Sequence, residues 1–332
     1  MKVRHTPVKI RPAAVVAAPL RSRQLWLGVD GGATKTHAVV VDKNFKNLGE
    51  GTAGPSNPLR VGVSDAASAV REAIDRACAV ARVRRTDIAA AEIGLAGVKR
   101  LDLRERVREA LEALGIKSFE VVTDADIALY GATDGKAGLV IIAGTGSICC
   151  GTNSRGRNAC AGGWGPVAGD EGSGSWIARR GLQAVARATD GRGPKTPLVE
   201  AACVYFNVSA PSDLSTAIYA QNVTHDRIAG FGRFVIEAAK KRDGVAREIV
   251  VEAGRELGLA AVAVIRKLKL ERESFQVGYV GGVFKAGELI LEPVREEVAR
   301  VAPRAKLSAP LHTPAEAAAR MAREQVQLAM AG

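Results

Sequence analysis

The chain of 332 residues is long enough for two domains and, with 47% hydrophobic residues, for a sizeable core in each. Aromatic residues make up only 4% of it, so aliphatic side chains and alanine must do most of the packing. No apolar run approaches the roughly 20 residues needed to cross a bilayer, so we expect no membrane partner.

Half of the formal net charge of +12 lies in residues 1–23, which carry six basic residues and no acidic one. We expect this segment to be a disordered basic tail. A signal peptide fits poorly, because Ala13–Leu20 is short and contains Pro19, whereas an organelle-type presequence stays open. The remaining basic residues fall mostly beside acidic ones, which argues against a nucleic-acid partner.

The cysteines predict neither a disulfide framework nor a zinc site, because their count is odd, two are adjacent and no C-x-x-C spacing occurs. They are Cys78, Cys149, Cys150, Cys160 and Cys203. We interpret the adjacent pair as small apolar fillers of a strand. This usage indicates a reducing compartment, so we expect a cytoplasmic protein.

The first motif is the stretch Leu25–Asp42, in which an apolar strand runs into a Gly/Thr turn and out into a β-branched strand. Asp30 ends the first strand, where a carboxylate can hold a hydrated Mg²⁺ against phosphate oxygens. The alternative phosphate motif G-x-x-x-x-G-K-[ST] fails here. Lys35 follows Thr34 rather than glycine, and a strand follows rather than a helix.

Helices and strands then alternate, which predicts an α/β layered fold. After a turn-rich loop at residues 54–58, the predicted elements are helices Ser64–Val83 and Asp102–Leu114 and strands Ile88–Gly94 and Phe119–Thr123. Asp124 follows the last strand, at the position where open α/β sheets place their ligands. It is a candidate catalytic base or, alternatively, the N-cap of the next helix.

The central stretch, Leu139–Asp170, repeats the first motif. Leu139–Ala143 is apolar without alternation, as in a strand buried on both faces. Gly144-Thr145-Gly146-Ser147 then leaves its amides unobstructed for a phosphate, although it can also be a simple hairpin turn. Two such hairpins favour a duplicated fold that clamps a nucleotide between its halves.

The glycine-rich loop Gly162–Gly172 follows the second hairpin. It contains Trp164, a flat apolar surface for a sugar ring, and Asp170, an acceptor for sugar hydroxyls. Asp170 can alternatively cap the helix Ser173–Thr189. The next predicted elements are helices Pro197–Phe206, Asp226–Lys241 and Val245–Lys267, strand Phe275–Gly281, helix Leu289–Val301, strand Ala305–Ser308 and helix Pro314–Met330.

Six stretches in a fixed order carry a resemblance to a known family: Gly28–Thr36, Gly54–Pro58, Val122–Asp126, Ala143–Ser147, Gly162–Gly172 and Val280–Gly287. The chain resembles the N-acetylglucosamine kinases, in the BadF/BadG/BcrA/BcrD ATPase family of the sugar kinase, heat-shock protein and actin superfamily. Ala33 departs from the pattern, because many relatives have a third glycine there. The resemblance implies an α/β, two-domain actin-like ATPase (ribonuclease H-like) fold with a duplicated core and a helical elaboration of the second domain. The expected units are the tail 1–23, an N-terminal domain of 24–135 plus 314–332, and a C-terminal domain of 136–313.

The resemblance further implies a homodimeric kinase that uses ATP and Mg²⁺ to phosphorylate the 6-hydroxyl of an amino sugar, N-acetylglucosamine above all. Asp124 is then the catalytic base, and the implied sugar contacts are Asn57, Asp124, Gly163, Trp164 and Asp170. The implied ATP contacts are Gly31, Gly32, Thr34, Lys35, Gly144, Thr145, Gly146, Ala229, Gly281, Gly282 and Lys285. Asp30 would hold Mg²⁺ through water.

Three alternatives differ in chemistry. Glucosamine itself is the nearest rival substrate. ATPases that activate 2-hydroxyacyl-CoA dehydratases resemble this chain too, but they hold an iron–sulfur cluster with cysteines, and the segment before Gly144 has none. A sugar-sensing repressor would need a DNA-binding module, for which residues 1–23 are too short.

Overall fold

The computed structural model describes residues 24–331, so the basic tail expected at 1–23 lies outside the described residues. These residues form two five-stranded sheets. The strands are β1 (Leu25–Gly31), β2 (Thr36–Val41), β3 (Asn47–Ala53), β4 (Ile88–Leu95), β5 (Phe119–Thr123), β6 (Gly138–Ala143), β7 (Ser147–Thr152), β8 (Asn158–Gly162), β9 (Gln276–Val280) and β10 (Lys306–Ser308).

Thirteen helices lie within the described chain. They are α1 (Pro58–Val61), α2 (Val63–Ala81), α3 (Leu101–Ala110), α4 (Asp124–Thr133), α5 (Gly165–Ala168), α6 (Gly174–Thr189), α7 (Leu198–Phe206), α8 (Leu214–Ile218), α9 (His225–Gly230), α10 (Gly232–Lys240), α11 (Gly244–Leu268), α12 (Glu288–Val301) and α13 (Pro314–Ala331). None of them is long and apolar enough to cross a bilayer.

The two sheets share one topology, which confirms the predicted duplicated core. Their strand orders are β3-β2-β1-β4-β5 and β10-β9-β6-β7-β8. In each, a hairpin and a third strand pair antiparallel, and two further strands pair parallel on the other side. The fold is therefore the two-domain α/β actin-like architecture that the sequence predicts.

The first sheet is packed closely by alanine-rich helices, as the low aromatic content predicts. The C-terminal helix α13 packs on β1, β2 and β4. A β-carbon on Gly28 of β1 would lie 1.9 Å from the carbonyl oxygen of Ala315, so glycine is what allows this approach. Ala315 and Ala319 are buried there beside Trp26.

The helix α4 lies between the two sheets. It packs on β4 and β5 of the first domain and on β6 and β9 of the second. Ala128 and Ala132 of α4 share a buried cluster with Val140 of β6. Because Asp124 is the first residue of α4, it lies at the junction of the two domains.

The helical elaboration of the second domain runs from α7 to α11, as predicted. One predicted helix, Asp226–Lys241, is instead divided into α9 and α10 around Phe231. Phe231 is fully buried in the core, and a β-carbon on Gly232 would lie 2.7 Å from the carbonyl oxygen of Gly174. The break lets this segment approach the start of α6 closely.

The interpretation of Cys150 as a small apolar filler is wrong. Cys150 of β7 and Cys160 of β8 lie directly opposite each other in the antiparallel ladder and form a disulfide, with their Cα atoms 4.2 Å apart. Cys78, Cys149 and Cys203 remain free. The reducing compartment inferred from cysteine usage therefore loses that support.

Candidate functional site

The glycine turn between β6 and β7 is fixed against the beginning of α6. The N–H of Gly144 donates to the carbonyl of Gly146 at 2.9 Å, and the N–H of Gly174 donates to the carbonyl of Gly144 at 2.8 Å. The Ser175 hydroxyl donates to the carbonyl of Thr145 at 2.7 Å. The turn therefore lies beside a helix N-terminus, an arrangement that favours bound phosphate.

A mostly apolar cavity of about 680 Å³ opens beside this turn. Its size fits a nucleotide, since ligand pockets span roughly 300–1,000 Å³. Six predicted ATP contacts line it: Thr34, Gly144, Thr145, Ala229, Gly282 and Lys285. The structure thus brings both hairpins and the turn after β9 to one cavity.

The other five predicted ATP contacts do not line this cavity: Gly31, Gly32, Lys35, Gly146 and Gly281. A close neighbour accounts for the glycine at three of them. A β-carbon on Gly31 would lie 2.3 Å from the Ser56 hydroxyl, and one on Gly281 would lie 2.1 Å from the carbonyl oxygen of Ala143. One on Gly146 would lie 2.9 Å from a carboxylate oxygen of Asp170.

Apart from Ala229, the far wall of the cavity was missed by sequence analysis. It comes from α9 and α10 and includes Asp226, Arg233 and Glu237. Asp226 also forms an ion pair with Arg60 of α1, so this wall is joined to the first domain. Helical periodicity locates these helices but does not say which of their faces meets the hairpins.

The candidate base Asp124 is half-buried and lies close enough to Asp30 to feel its charge. The pKa of Asp124 is raised to about 6, chiefly by burial and then by the negative charge of Asp30, against the lowering effect of the N–H of Ala125, which lies 2.9 Å from Oδ1. Burial also raises the pKa of Asp30, against the positive charges of His37 and Lys35. Asp30 and Asp124 come close together because β1 and β5 both run parallel to β4, so the ends of these strands lie at the same edge of the sheet.

Asp124 does not serve as the N-cap of α4, so that alternative is wrong. The cap is Thr123, whose hydroxyl accepts the N–H of Asp126 at 3.2 Å, while the Asp126 carboxylate accepts the N–H of Thr123 at 3.0 Å. This reciprocal capping box satisfies the helix start. The Asp124 carboxylate is thereby left available to a ligand in the cavity of about 530 Å³ that it lines.

Asp30 can supply one ligand to a metal ion whose other ligands are water and substrate phosphate. Among the described residues, no group of three or more His, Cys, Asp and Glu side chains could hold a metal ion. Mg²⁺ keeps several waters and takes one or two carboxylates together with substrate phosphates. Asp30, a single half-buried carboxylate beside the glycine turn, matches this mode of Mg²⁺ coordination. A divalent cation there would offset the repulsion between Asp30 and Asp124.

Asp170 is buried, 6% exposed, with a left-handed φ of 60°. Its Oδ1 accepts the N–H of Ser147 at 3.3 Å, and the N–H of Gly165 also donates to its carboxylate. Burial raises its pKa, and these two N–H groups oppose that rise. The alternative that Asp170 caps α6 is wrong, because Ser173 is the cap and accepts the N–H of Trp176 at 3.2 Å.

The remaining predicted sugar contacts lie around this loop and on the facing domain. Trp164 is 78% exposed at the start of α5, and the adjacent Gly163 has a φ of 74°. Asn57 caps α1 by accepting the N–H of Leu59 at 3.0 Å. Gly97 leaves room for that amide, since a β-carbon there would lie 2.2 Å from Oδ1 of Asn57.

Glu92 of β4 was also missed by sequence analysis. Its side chain is fully buried and lines the same cavity as Asp124. Neither carboxylate oxygen makes a well-formed hydrogen bond among the described residues, although the nearby Gln325 side chain acts to lower its pKa. Burial raises its pKa to about 8, with further contributions from the negative charges of Glu120 and Asp126. Glu92 therefore carries a proton at neutral pH. One acidic residue in an otherwise apolar strand is the only sequence signal of it.

These features together define a class of protein. Two copies of one sheet topology, a nucleotide-sized cavity between two hairpins, and a half-buried aspartate at the domain junction are the parts of an actin-like ATPase. The sequence profile of the BadF/BadG/BcrA/BcrD ATPase family matches residues 27–322, and the chain belongs to that family.

Named relatives agree with this class. The chain is 35% identical over 258 residues to an N-acetylmuramic acid/N-acetylglucosamine kinase of Clostridium acetobutylicum, covering 77% of this chain and 84% of that one. It is 31% identical over 298 residues to an N-acetyl-D-glucosamine kinase of Dictyostelium discoideum, covering 86% and 93%. The solved structure of a candidate N-acetylglucosamine kinase from Chromobacterium violaceum superposes with a TM-score of 0.74 at 27% identity, covering 89% and 97%.

Proposed function

We propose that the protein is an ATP-dependent kinase that phosphorylates the 6-hydroxyl of N-acetylglucosamine. The observation that carries the proposal is Asp124, a half-buried carboxylate at the domain junction whose pKa is raised by its surroundings and by the charge of Asp30. The curated relatives named above, which are amino-sugar kinases, support the choice of substrate class.

Asp124 suits the role of proton acceptor. With a pKa of about 6 it is ionised at neutral pH, yet basic enough to take a proton as the hydroxyl attacks phosphorus. The sugar oxygen forms the new P–O bond, the bond to the leaving ADP oxygen breaks, and the hydroxyl proton passes to the carboxylate. General-base action of this kind contributes roughly 10²–10⁴-fold in rate.

The rest of the site positions the two substrates. Because the N–H of Gly144 is bonded to the carbonyl of Gly146, the amides of Thr145 and Gly146 are the ones that would contact phosphate. Asp30 would hold Mg²⁺, which offsets phosphate charge when bound. Trp164 presents a ring surface to the sugar, with Asp170 and Asn57 as polar partners. Closure of the domains around both substrates would exclude water and limit ATP hydrolysis.

Glucosamine is the second candidate substrate, because nothing in the described pocket distinguishes an N-acetyl group from an ammonium. We further propose a homodimer, as the resemblance implies, and a cytoplasmic location. Both follow from the kinase assignment rather than from a contact in this chain.

The test is an ADP-release assay with N-acetylglucosamine, glucosamine, glucose and N-acetylmannosamine. We expect the highest kcat/KM for N-acetylglucosamine, and a phosphomonoester on carbon 6 in the NMR spectrum of the product. Equal ADP release with and without sugar would refute the kinase. Iron in anaerobically purified protein would instead support a dehydratase-activating ATPase.

A further inference from the structure

The two carboxylate oxygens of Asp226 have different surroundings. Asp226 lies in the first turn of α9 and lines the nucleotide cavity. Its Oδ2 forms the ion pair with Arg60 of α1, which belongs to the first domain. Its Oδ1 is shut off from solvent and has no hydrogen-bond partner in the part of the chain that the structure describes. One oxygen is thus committed to the facing domain, and the other is left for a ligand.

The positively charged residues of the cavity leave this oxygen unpaired. Arg233 and Lys285 both line the cavity, but among the described residues neither donates a hydrogen bond to Oδ1 of Asp226. A buried acceptor without a partner is unfavourable, and more so when it carries charge. Because this acceptor stands on the wall of a ligand cavity, a donor on the ligand can satisfy it.

An adenine nucleotide has two kinds of donor that such a carboxylate can accept, the ribose hydroxyls and the amine of the base. Its phosphates would instead be repelled by the carboxylate and belong at the glycine turn, which lines the same cavity. Arg60 holds Asp226 on the side of the cavity that meets the first domain, where Thr34 of the first hairpin also lines it. The base suits the apolar part of the wall, which is formed by Phe234, Ile236 and Val283. Ribose joins phosphate to base, so its hydroxyls are the donors that fit Oδ1.

We propose that Asp226 accepts a hydrogen bond from a ribose hydroxyl of the nucleotide through Oδ1 while Oδ2 stays on Arg60. The helix α1 that carries Arg60 is capped by Asn57, a proposed sugar contact. Nucleotide binding at Asp226 therefore restrains the segment that holds Asn57, which favours sugar binding. The inference rests on the proposed function, because it assigns the ribose contact of the same site and a link from the nucleotide to the sugar.

The experiment measures the binding of nucleotides that each lack one donor. The ligands are ADP, 2′-deoxy-ADP, 3′-deoxy-ADP and IDP, which has no amine on its base, and each is titrated with Mg²⁺ by calorimetry without sugar. The proteins are the unchanged chain, Asp226→Ala, Asp226→Asn and Arg60→Gln. The control is Glu200→Ala, which removes an exposed carboxylate of α7 outside the nucleotide cavity. Melting temperatures confirm that each variant is folded.

We expect the unchanged protein to bind ADP about 10- to 150-fold more tightly than at least one of the deoxynucleotides, as for a hydrogen bond to a charged group. Asp226→Ala should bind ADP and that deoxynucleotide equally, because the two groups are in contact and removing either one removes the interaction. Asp226→Asn, which keeps the shape but not the charge, should give an intermediate preference. Glu200→Ala should behave as the unchanged protein, and any preference for ADP over IDP should be the same in Asp226→Ala.

The variant Arg60→Gln tests the link to the sugar. ADP should tighten the binding of N-acetylglucosamine to the unchanged protein. Arg60→Gln should reduce that tightening about 1.5- to 5-fold, the range expected for a partly exposed ion pair. Arg60→Lys should restore part of it, because lysine keeps the charge. The preference of Arg60→Gln for ADP over the deoxynucleotide should persist, because Oδ1 of Asp226 is still present.

Other outcomes overturn the inference or separate it from the proposed function. Equal binding of ADP and both deoxynucleotides by the unchanged protein overturns the ribose contact. A preference that persists in Asp226→Ala also overturns it, because another group then holds the ribose. A preference for ADP over IDP that disappears in Asp226→Ala overturns the choice of ribose and assigns the amine to Asp226. Unchanged coupling in Arg60→Gln overturns the link to Asn57. If no sugar is phosphorylated but the preference depends on Asp226, the kinase proposal fails and the ribose contact stands.

Discussion

Replacing Asp124 with asparagine should remove activity and stabilise the protein at the same time. Asparagine keeps the shape of the side chain and can still accept the N–H of Ala125, but it takes no proton from a hydroxyl. We expect kcat to fall about 10²–10⁴-fold, with sugar affinity changed much less.

The expected stabilisation can be calculated from the shift in the pKa of Asp124. The pKa of Asp124 rises from 3.8 to about 6 in the folded chain. At 1.36 kcal/mol per pKa unit, the ionised carboxylate costs the folded state up to about 3 kcal/mol at pH 7. Since the folded pKa lies above the unfolded one, this cost is absent below pH 3.8 and develops as pH rises toward 6. Asparagine removes it, and each kcal/mol regained is worth about 2–4 °C in a domain of this size.

Two measurements check this reasoning. Steady-state kinetics from pH 5 to 8 should show kcat/KM of the unchanged protein rising about tenfold per pH unit below pH 6, because only ionised Asp124 accepts a proton. Melting curves at pH 7 should place Asp124→Asn above the unchanged protein. A variant with near-normal kcat would refute the base, and one with a lower melting temperature would refute the argument from burial.

Gly144→Val should fold normally, because a β-carbon there meets no protein atom within 4 Å. Its side chain would occupy the open space beside the turn, so ATP affinity measured by calorimetry should fall. Unchanged affinity would show that the turn is a simple hairpin. Asp170→Ala should raise the sugar KM and also lower the melting temperature, since alanine tolerates a φ of 60° poorly. Asp170→Asn should lower the melting temperature less, so that the rise in sugar KM can be measured without the loss of stability. The unchanged chain should lose stability as pH rises from 4.5 to about 8, where Glu92 is ionised in the unfolded chain but still protonated in the folded one, and Glu92→Gln should abolish that loss in pH-dependent melting curves. Thiol titration in denaturant should find three free thiols before reduction and five after, and five before reduction would show that Cys150 and Cys160 are not joined.

The sheets were predictable from sequence where burial on both faces leaves a continuous apolar run. β6 is such a strand, and the glycine turn after it marks the hairpin. The strand β3 was missed because its sequence, NLGEGTA, is polar and contains two glycines. Its glycines have a tertiary purpose: a β-carbon on Gly51 would lie 2.1 Å from the carbonyl oxygen of Ala73. Contact with α2, rather than propensity, therefore places this strand.

The candidate site was predictable where a residue stands at a strand end. Asp30 and Asp124 are of that kind, and the fold brings them together. The capping residues Thr123 and Ser173 were not distinguished from their acidic neighbours, because several hydrogen-bonding side chains stand at each helix start. The disulfide was missed because a spacing of ten residues does not show that Cys150 and Cys160 stand opposite each other on the paired strands β7 and β8.

The glycine turn Gly144–Gly146 and the loop Gly162–Gly172 are in contact through Asp170, so binding of phosphate at one is coupled to binding of sugar at the other. Asp170 is held by the N–H of Ser147, and its carboxylate occupies the space that a side chain at position 146 would fill. A displacement of the turn by phosphate must therefore be felt by the sugar loop. Beside the cavity the Arg60–Asp226 ion pair joins the two domains, but it is partly exposed, and such pairs are worth about 0.2–1 kcal/mol. A tie that weak cannot hold the cleft shut by itself, so closure must draw its free energy from the substrates.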